Sequence, residues 1–359
     1  MEYCIGVDIG GTSIKIGLFE VIDRQSGNIS LLEYESLLMK DNAGSLARFL
    51  FKISNCVKRL CELRQINRED ICSIGIGLPG DTDYSEPQNP KVTRTNPNLS
   101  FLLGKGADEI RRLLVKNIGL GEDIPVSLYN DAVAASIAEV KMGSLRNSRE
   151  KAVVVIIGTA IGCSLVDERG DILEKEKSIR EMSTFAVPDE SGRFPEGPED
   201  KHYYDCPCMG PMANKVKALL KSKRSASACP AWLEREFPSE ASIDAIDSSY
   251  GIRFVEYLKL ERSSPEYGEF FTGIFDDFIK YLIQGILRLC NKYALSRVSL
   301  GGGIFHAEDS LFLEPVRVGL EKSGIQLVKA MTHSGIYGNA LVSLELTITH
   351  KPMEKTKTT

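Results

Sequence analysis

Nowhere in its 359 residues does this sequence approach the ~20 consecutive apolar residues that a membrane-spanning helix needs. No apolar run follows a basic one at the start, where Glu2 stands, so no secretory leader is expected. Positive charge is not in excess: 44 Lys and Arg face 49 Asp and Glu, for a formal net charge of −5, which argues against nucleic acid as the partner. The 9 cysteines form no even, regularly spaced set. Cys4, Cys72, Cys163 and Cys290 lie in apolar segments, which excludes a disulfide frame and fits buried reduced thiols in a cytoplasmic protein. His306, His333 and His350 fall into no ligand pattern and carry no predicted role. What remains is 43% hydrophobic and 26% charged, the balance of a globular protein. At roughly 150 residues per domain the length suggests about two domains.

The most informative stretch runs from Asp8 to Lys15, Asp-Ile-Gly-Gly-Thr-Ser-Ile-Lys. Apolar residues from Tyr3 to Val7 predict a buried strand, and the alternation of Ile14, Ile16 and Leu18 with Lys15 and Gly17 predicts a second. Gly10 and Gly11 then sit at a hairpin tip, where backbone N–H groups can approach an anion closely. Thr12 adds a hydroxyl, and Asp8 adds a carboxylate suited to a hydrated Mg²⁺. A phosphate-and-metal loop is one reading; an ordinary Gly-Gly hairpin is the other. The first is favoured by a second hairpin, Ala152–Ile157, Gly158-Thr159-Ala160-Ile161-Gly162, Cys163–Val166. Two such hairpins predict an internal duplication, with a phosphate loop from each half facing a shared cleft.

Elsewhere, Ser45 to Gln65 predicts an amphipathic helix capped by Ser45. Ile71 to Gly77 predicts a strand with two internal glycines, where something packs closely. Thr82 to Ser100 has no period and is read as a long loop. Pro125 to Tyr129 predicts a strand that delivers Asn130 and Asp131 to the start of a small-residue helix, the place where open α/β sheets hold ligands. Asp131 is either a helix cap or a catalytic carboxylate. A strand at Val298 to Leu300 leads into Gly301-Gly302-Gly303, which is either a flexible turn or a backbone on which a planar ring can lie. The long helix at 266–293 presents an apolar stripe for core packing, and a last helix is expected at 338–346.

The order Asp-x-Gly-Gly-Thr-x-x-Lys at 8–15, Gly-Leu-Pro-Gly at 77–80, Asn-Asp at 130–131, Gly-Thr-x-x-Gly at 158–162 and Gly-Gly-Gly at 301–303 resembles the ROK group of sugar kinases and repressors. That group lies within the actin-like ATPase, or hexokinase, superfamily. The resemblance implies an α/β, two-lobed, ribonuclease H-like fold with duplicated βββαβαβα units around a nucleotide cleft. Residues 1–128 and a C-terminal helix at about 338–348 would form the small lobe, and residues 129–337 the large one. It implies ATP and Mg²⁺, with Asp8 placing the metal through water. Gly10, Gly11, Thr12, Lys15, Gly158 and Thr159 would contact phosphate, although Ala160 stands where the family has Gly. Gly301, Gly302 and Gly303 would border the adenosine. Asp131 would be the catalytic base, and Asn130, Glu181, Gly80 and Asn98 would meet the sugar. The implied activity is ATP-dependent phosphorylation of a hexose or N-acyl hexosamine, with no nucleic acid or membrane partner, in a family whose members often form homodimers.

The pattern breaks in one region. The family's Gly-Glu-x-Gly-His corresponds to Arg180-Glu181-Met182-Ser183-Thr184, so the histidine is absent. Cys206-Pro-Cys208 keeps two zinc ligands, but Ala213 replaces the third cysteine and a sugar-binding Glu near Lys215 is missing. No family-type zinc site is expected; His202, Cys206 and Cys208, with Asp205 or Cys229 as a fourth ligand, are the residues that could rebuild one. The acidic, Pro-rich stretch 188–205 stands where the zinc segment would be, and Arg193, Lys201 or His202 could re-form the sugar pocket. These losses leave a second reading, a non-catalytic sugar or nucleotide sensor without a DNA-binding domain.

Overall fold

The computed structural model describes residues 1–39, 44–86, 89–95, 97–173, 208–225, 231–246, 251–263, 271–303 and 309–349. The chain divides into two compact units. One comprises Met1–Arg146 and returns from His333 onward; the other lies between, starting at Asn147.

The first unit opens with β1 (Tyr3–Ile9), β2 (Ser13–Asp23) and β3 (Asn28–Leu38). Helix α1 (Leu46–Leu63) follows, with the Ser45 hydroxyl accepting the Arg48 N–H at 3.3 Å as its cap. Next come β4 (Ile71–Leu78), the short strands β5 (Gly80–Asp83) and β6 (Lys91–Thr95), α2 (Ala107–Ile118), β7 (Val126–Asn130) and α3 (Asp131–Lys141). The main sheet has the order β3-β2-β1-β4-β7. Its β1–β2 and β2–β3 pairs are antiparallel; β1–β4 and β4–β7 are parallel. Alternate residues of β1, Tyr3, Ile5, Val7 and Ile9, point into a core shared with Phe49, Leu50, Ile53 and Val57 of α1 and Ile110 and Leu114 of α2. Each fully buried side chain of this size contributes about 1.5–3 kcal/mol relative to exposure.

The second unit runs β8 (Ala152–Ile157), β9 (Ile161–Val166), β10 (Ile172–Leu173), α4 (Met209–Arg224), α5 (Ala231–Glu236), α6 (Glu240–Asp244), α7 (Gly251–Ser263), α8 (Thr272–Tyr293), β11 (Arg297–Gly302), α9 (Leu313–Glu321) and β12 (Gln326–Lys329). Its sheet order, β10-β9-β8-β11-β12, repeats that of the first, with antiparallel and parallel pairs in the same places. The duplication expected from the two hairpins is thus written in the topology.

The chain returns to the first unit as α10 (Ser334–Thr349). This helix lies on the sheet face opposite α1, and glycine lets it come close. A side-chain carbon on Gly6 or Gly75 would collide with the backbone carbonyl of Ile336 or Asn339, and one on Gly338 with that of Ala134 in α3. The glycines inside β4 are explained by this contact. Because α3 packs on α10, residues 129–146 belong with the first unit rather than with the large lobe. The stretch 82–100, read as a loop, holds the β5–β6 hairpin and a 3₁₀ turn at Pro97–Leu102. Its β6 buries Val92 and exposes Lys91, Thr93 and Arg94, too short a pattern to show a period. Among the described residues no helix is long and apolar enough to cross a membrane.

Candidate functional site

The turn between β1 and β2 is held by backbone bonds: the Gly10 N–H donates to the Ser13 carbonyl at 2.9 Å, and the Met39 N–H to the Thr12 carbonyl at 2.9 Å. Register sets Asp8 opposite Lys15 on β2 and opposite Gly77 on β4, and Gly77 opposite Tyr129 on β7. Residues so paired project to the same face of a sheet. Lys15, Asp8, Gly77 and Tyr129 therefore form one row. The first two turns of α10 lie over Asp8 and Gly77 in it. A side-chain carbon on Gly335 would collide with the Asp8 carboxylate, and one on Gly77 would run into the Asn339 side chain.

The next position along β7 is Asn130, which is 3% exposed. Its Oδ1 accepts the Ala132 and Val133 N–H groups at 3.0 and 3.1 Å, and its Nδ2 donates to the Gly80 carbonyl at 2.7 Å. Asn130, not Asp131, is thus the cap of α3, and its amide is engaged at both ends. Gly80 has φ +139°, and a side chain there would strike the Arg94 carbonyl, so its glycine is required by β6. Asn98 lies exposed in the 3₁₀ turn after β6.

Asp131 is the first residue of α3, with Oδ1 accepting the Ala132 N–H at 2.8 Å. Burial, and then repulsion from Asp8, push its carboxyl up to about 7. Burial also raises Asp8, an effect partly offset by Lys15. Both carboxylates keep a partial opening to solvent. A buried acid whose ionisation is opposed by a neighbouring carboxylate, as Asp131 is by Asp8, retains a proton or favours a cation. Their hard oxygen donors suit Mg²⁺.

In the second unit the Gly158 N–H donates to the Ala160 carbonyl at 2.9 Å. The Gly158 and Thr159 carbonyls accept the Met209 and Gly210 N–H groups at 3.0 and 3.1 Å, which ties the turn to the start of α4. Register sets Gly302 of β11 opposite Ile157 of β8, so the triple glycine begins beside this turn. Gly302 has φ +129°, and a side chain there would meet the Ile157 carbonyl; one on Gly301 would meet Ala330. Around Gly303 no atom of the described residues lies within reach of an added side-chain carbon. Two of the three glycines therefore answer to strand packing.

Glu181, Arg193, Lys201, His202, Cys206, Cys229 and the Pro188–Asp205 stretch lie outside the described residues. Cys208 is buried at the start of α4, with Ala213 buried one turn further on. Among the described residues no group of three or more His, Cys, Asp or Glu could hold a metal ion.

No protein-family model and no curated protein matches the chain. Solved structures do. A ROK family glucokinase from Streptomyces griseus, in complex with glucose and AMPPNP, matches with a TM-score of 0.64 at 18% identity, over 96% of this chain and 99% of that one. The fold is that of the ROK sugar kinases. The ROK hexokinase from Thermus thermophilus matches with a TM-score of 0.54 at 22% identity, over 97% and 100% of the two chains. The same ROK fold serves a transcriptional regulator, a homolog of the E. coli MLC protein, which matches with a TM-score of 0.61 at 18% identity, over 96% of this chain and 78% of that one. At these identities the likeness is one of fold, an actin-like ATPase fold.

Two residues of the site were not singled out from sequence, Gly335 and Asn339. Their signal is the Gly-x-x-Gly-Asn at 335–339, which opens α10; a helix started at Gly338 hides it.

Proposed function

We propose that this protein is an ATP-dependent sugar kinase of the ROK type, acting on a hydroxyl of a hexose or N-acyl hexosamine. The observation that carries the reading is the Asp8–Asp131 carboxylate pair beside the Gly10–Thr12 turn. Asp131, shifted up to about 7, is matched to a general base that takes the proton of an attacking hydroxyl near neutral pH. Its place at the first turn of α3 keeps the carboxylate fixed. Backbone N–H groups of the Gly10–Thr12 and Gly158–Ala160 turns, with the Thr12 and Thr159 hydroxyls and Lys15, would bind phosphate oxygens. Gly303 would leave room for the adenine. Asp8 would hold Mg²⁺ through water, and that ion, when bound, neutralises charge on the transferred phosphoryl group. Phosphoryl transfer asks mainly for positioning and charge compensation, which these groups supply.

A second reading, a non-catalytic ROK-like sensor, is favoured by Asn130. The side chain expected to meet a sugar hydroxyl is engaged in capping α3 and holding Gly80, and Thr184 replaces the family's histidine. The sensor reading gives Asp131 no chemical task. The test is ADP release from Mg·ATP with a panel of hexoses and N-acyl hexosamines. Sugar-dependent release that falls ~10²–10⁴-fold in Asp131→Asn, with ADP binding retained by calorimetry, supports the kinase. Silence across the panel with nucleotide still bound supports the sensor, and unchanged turnover in the variant removes Asp131 as the base.

A further inference from the structure

Asn339 is 1% exposed and lies on the face of α10 that covers β4. Its Nδ2 donates to the Gly335 carbonyl one turn earlier at 2.8 Å. That bond directs Oδ1 away from the helix backbone, and Oδ1 is buried with no hydrogen-bond partner among the described residues. A buried acceptor left unsatisfied costs about 1–3 kcal/mol, so an apolar residue would be the cheaper occupant of a purely structural position. The surroundings show what the oxygen faces. The amide lies over Gly77, whose missing side chain makes its room. Gly77 stands between Asp8 and Tyr129 in the row across the sheet. Gly335, to which Asn339 is bonded, abuts the Asp8 carboxylate. An acceptor oxygen thus lies over Gly77, the neighbour of Asp8 in the row, and an amide oxygen there accepts a hydrogen bond only from a donor such as water.

We propose that Asn339 is a positioning residue for the Asp8 cation site, its Oδ1 accepting a hydrogen bond from a water that Asp8 also holds. The inference rests on the Mg·nucleotide reading above and adds a residue to it. Outer partners that orient metal-bound groups are worth 10–100-fold in metal affinity. Three readings distinguish this from a structural role: Mn²⁺ binding to the full chain with ADP, followed by the paramagnetism of the ion; melting temperature; and sugar-dependent turnover. Asn339→Ala, which removes the oxygen, is expected to weaken Mn²⁺ binding about tenfold or more without lowering the melting temperature in proportion. Asn339→Asp, which keeps an acceptor oxygen but loses the Nδ2 donor to Gly335, is expected to bind Mn²⁺ at least as tightly as the wild type while melting lower. Wild-type protein that binds Mn·ADP and an Ala variant that binds it equally well overturn the inference alone. Tenfold weakening in a folded Asp variant also overturns it, because the oxygen is then not what matters. Wild-type protein that binds no Mn·ADP overturns both the inference and the nucleotide reading.

Discussion

Asp131 holds its proton to about pH 7 for a reason that also sets a stability cost. Its ionised form is opposed by burial and by Asp8 in the folded protein, whereas in the unfolded chain an aspartate titrates near ~3.9. Between those values the folded state binds more protons than the unfolded one. The contribution is therefore fully present below the unfolded pKa and is lost as pH rises through about 7. An amide at this position would keep an oxygen for the Ala132 N–H and cannot ionise. In metal-free buffer, Asp131→Asn is expected to melt above the wild type at pH 8, with the gap closing toward pH 4. Thermal denaturation by circular dichroism across that range checks it, and a gap independent of pH would count against the buried-carboxylate account. Gly335 makes a second case. An added methyl would meet the far end of the Asp8 side chain rather than backbone, so the carboxylate must swing aside while the helix keeps its register. Gly335→Ala is expected to lose about 10²-fold in turnover, the scale of a small misplacement in an active site, with little change in melting temperature. Equal losses in both would mean that Gly335 serves packing alone.

Local chemistry made the hairpins legible, and tertiary packing hid the start of α10. β1–β2 and β8–β9 announce themselves because each is a contiguous apolar run broken by a Gly–Thr turn. The start of α10 does not. Ser334, Gly335 and Gly338 are poor helix formers, and only the close approach of Gly335 to the Asp8 carboxylate and of Gly338 to the Ala134 carbonyl shows why the two glycines are there. The Asn-Asp pair was legible as the start of α3, but which residue caps it was not, since both are good caps. Asn130 takes the role because its Nδ2 also has the Gly80 carbonyl to bind. The hidden part is testable on the element itself. A side-chain carbon at position 75 would overlap the Asn339 carbonyl, which cannot move without shifting α10. Gly75→Ala is expected to destabilise by about 1–3 kcal/mol or more. Gly273 in α8 faces open space, and Gly273→Ala is expected to gain about 0.5–1 kcal/mol. Chemical denaturation of both variants reads the contrast; a Gly75→Ala protein as stable as the wild type would mean that α10 does not sit where it is described.

At the scale of the whole molecule, duplication is the organising fact. Five strands in one order occur twice, each time with a Gly–Thr turn closing the first hairpin. Each copy has its own core: Phe49, Ile53 and Leu114 belong to the first, Trp232, Phe275 and Phe312 to the second, and the two share no residue. The second is the more aromatic, with Phe275 against Phe312 at 4.6 Å between ring centres and Tyr257 stacked on Phe271 at 5.5 Å. Asp8, Lys15, Asn130, Asp131, Gly335 and Asn339 all belong to the first unit, and Gly158, Thr159 and the triple glycine to the second. Each unit has a core of its own, and multidomain chains commonly depart from two-state unfolding. Calorimetry of the wild type is therefore expected to show two transitions. Phe275→Ala, which empties a fully packed site at a cost of about 3–5 kcal/mol, should lower one of them, and Gly75→Ala the other. If Mg·ADP then raises the transition that responds to Gly75→Ala, the carboxylate-bearing unit contributes to binding on its own account. A single transition whose calorimetric and van't Hoff enthalpies agree, shifted equally by both substitutions, would mean instead that the units fold as one cooperative body.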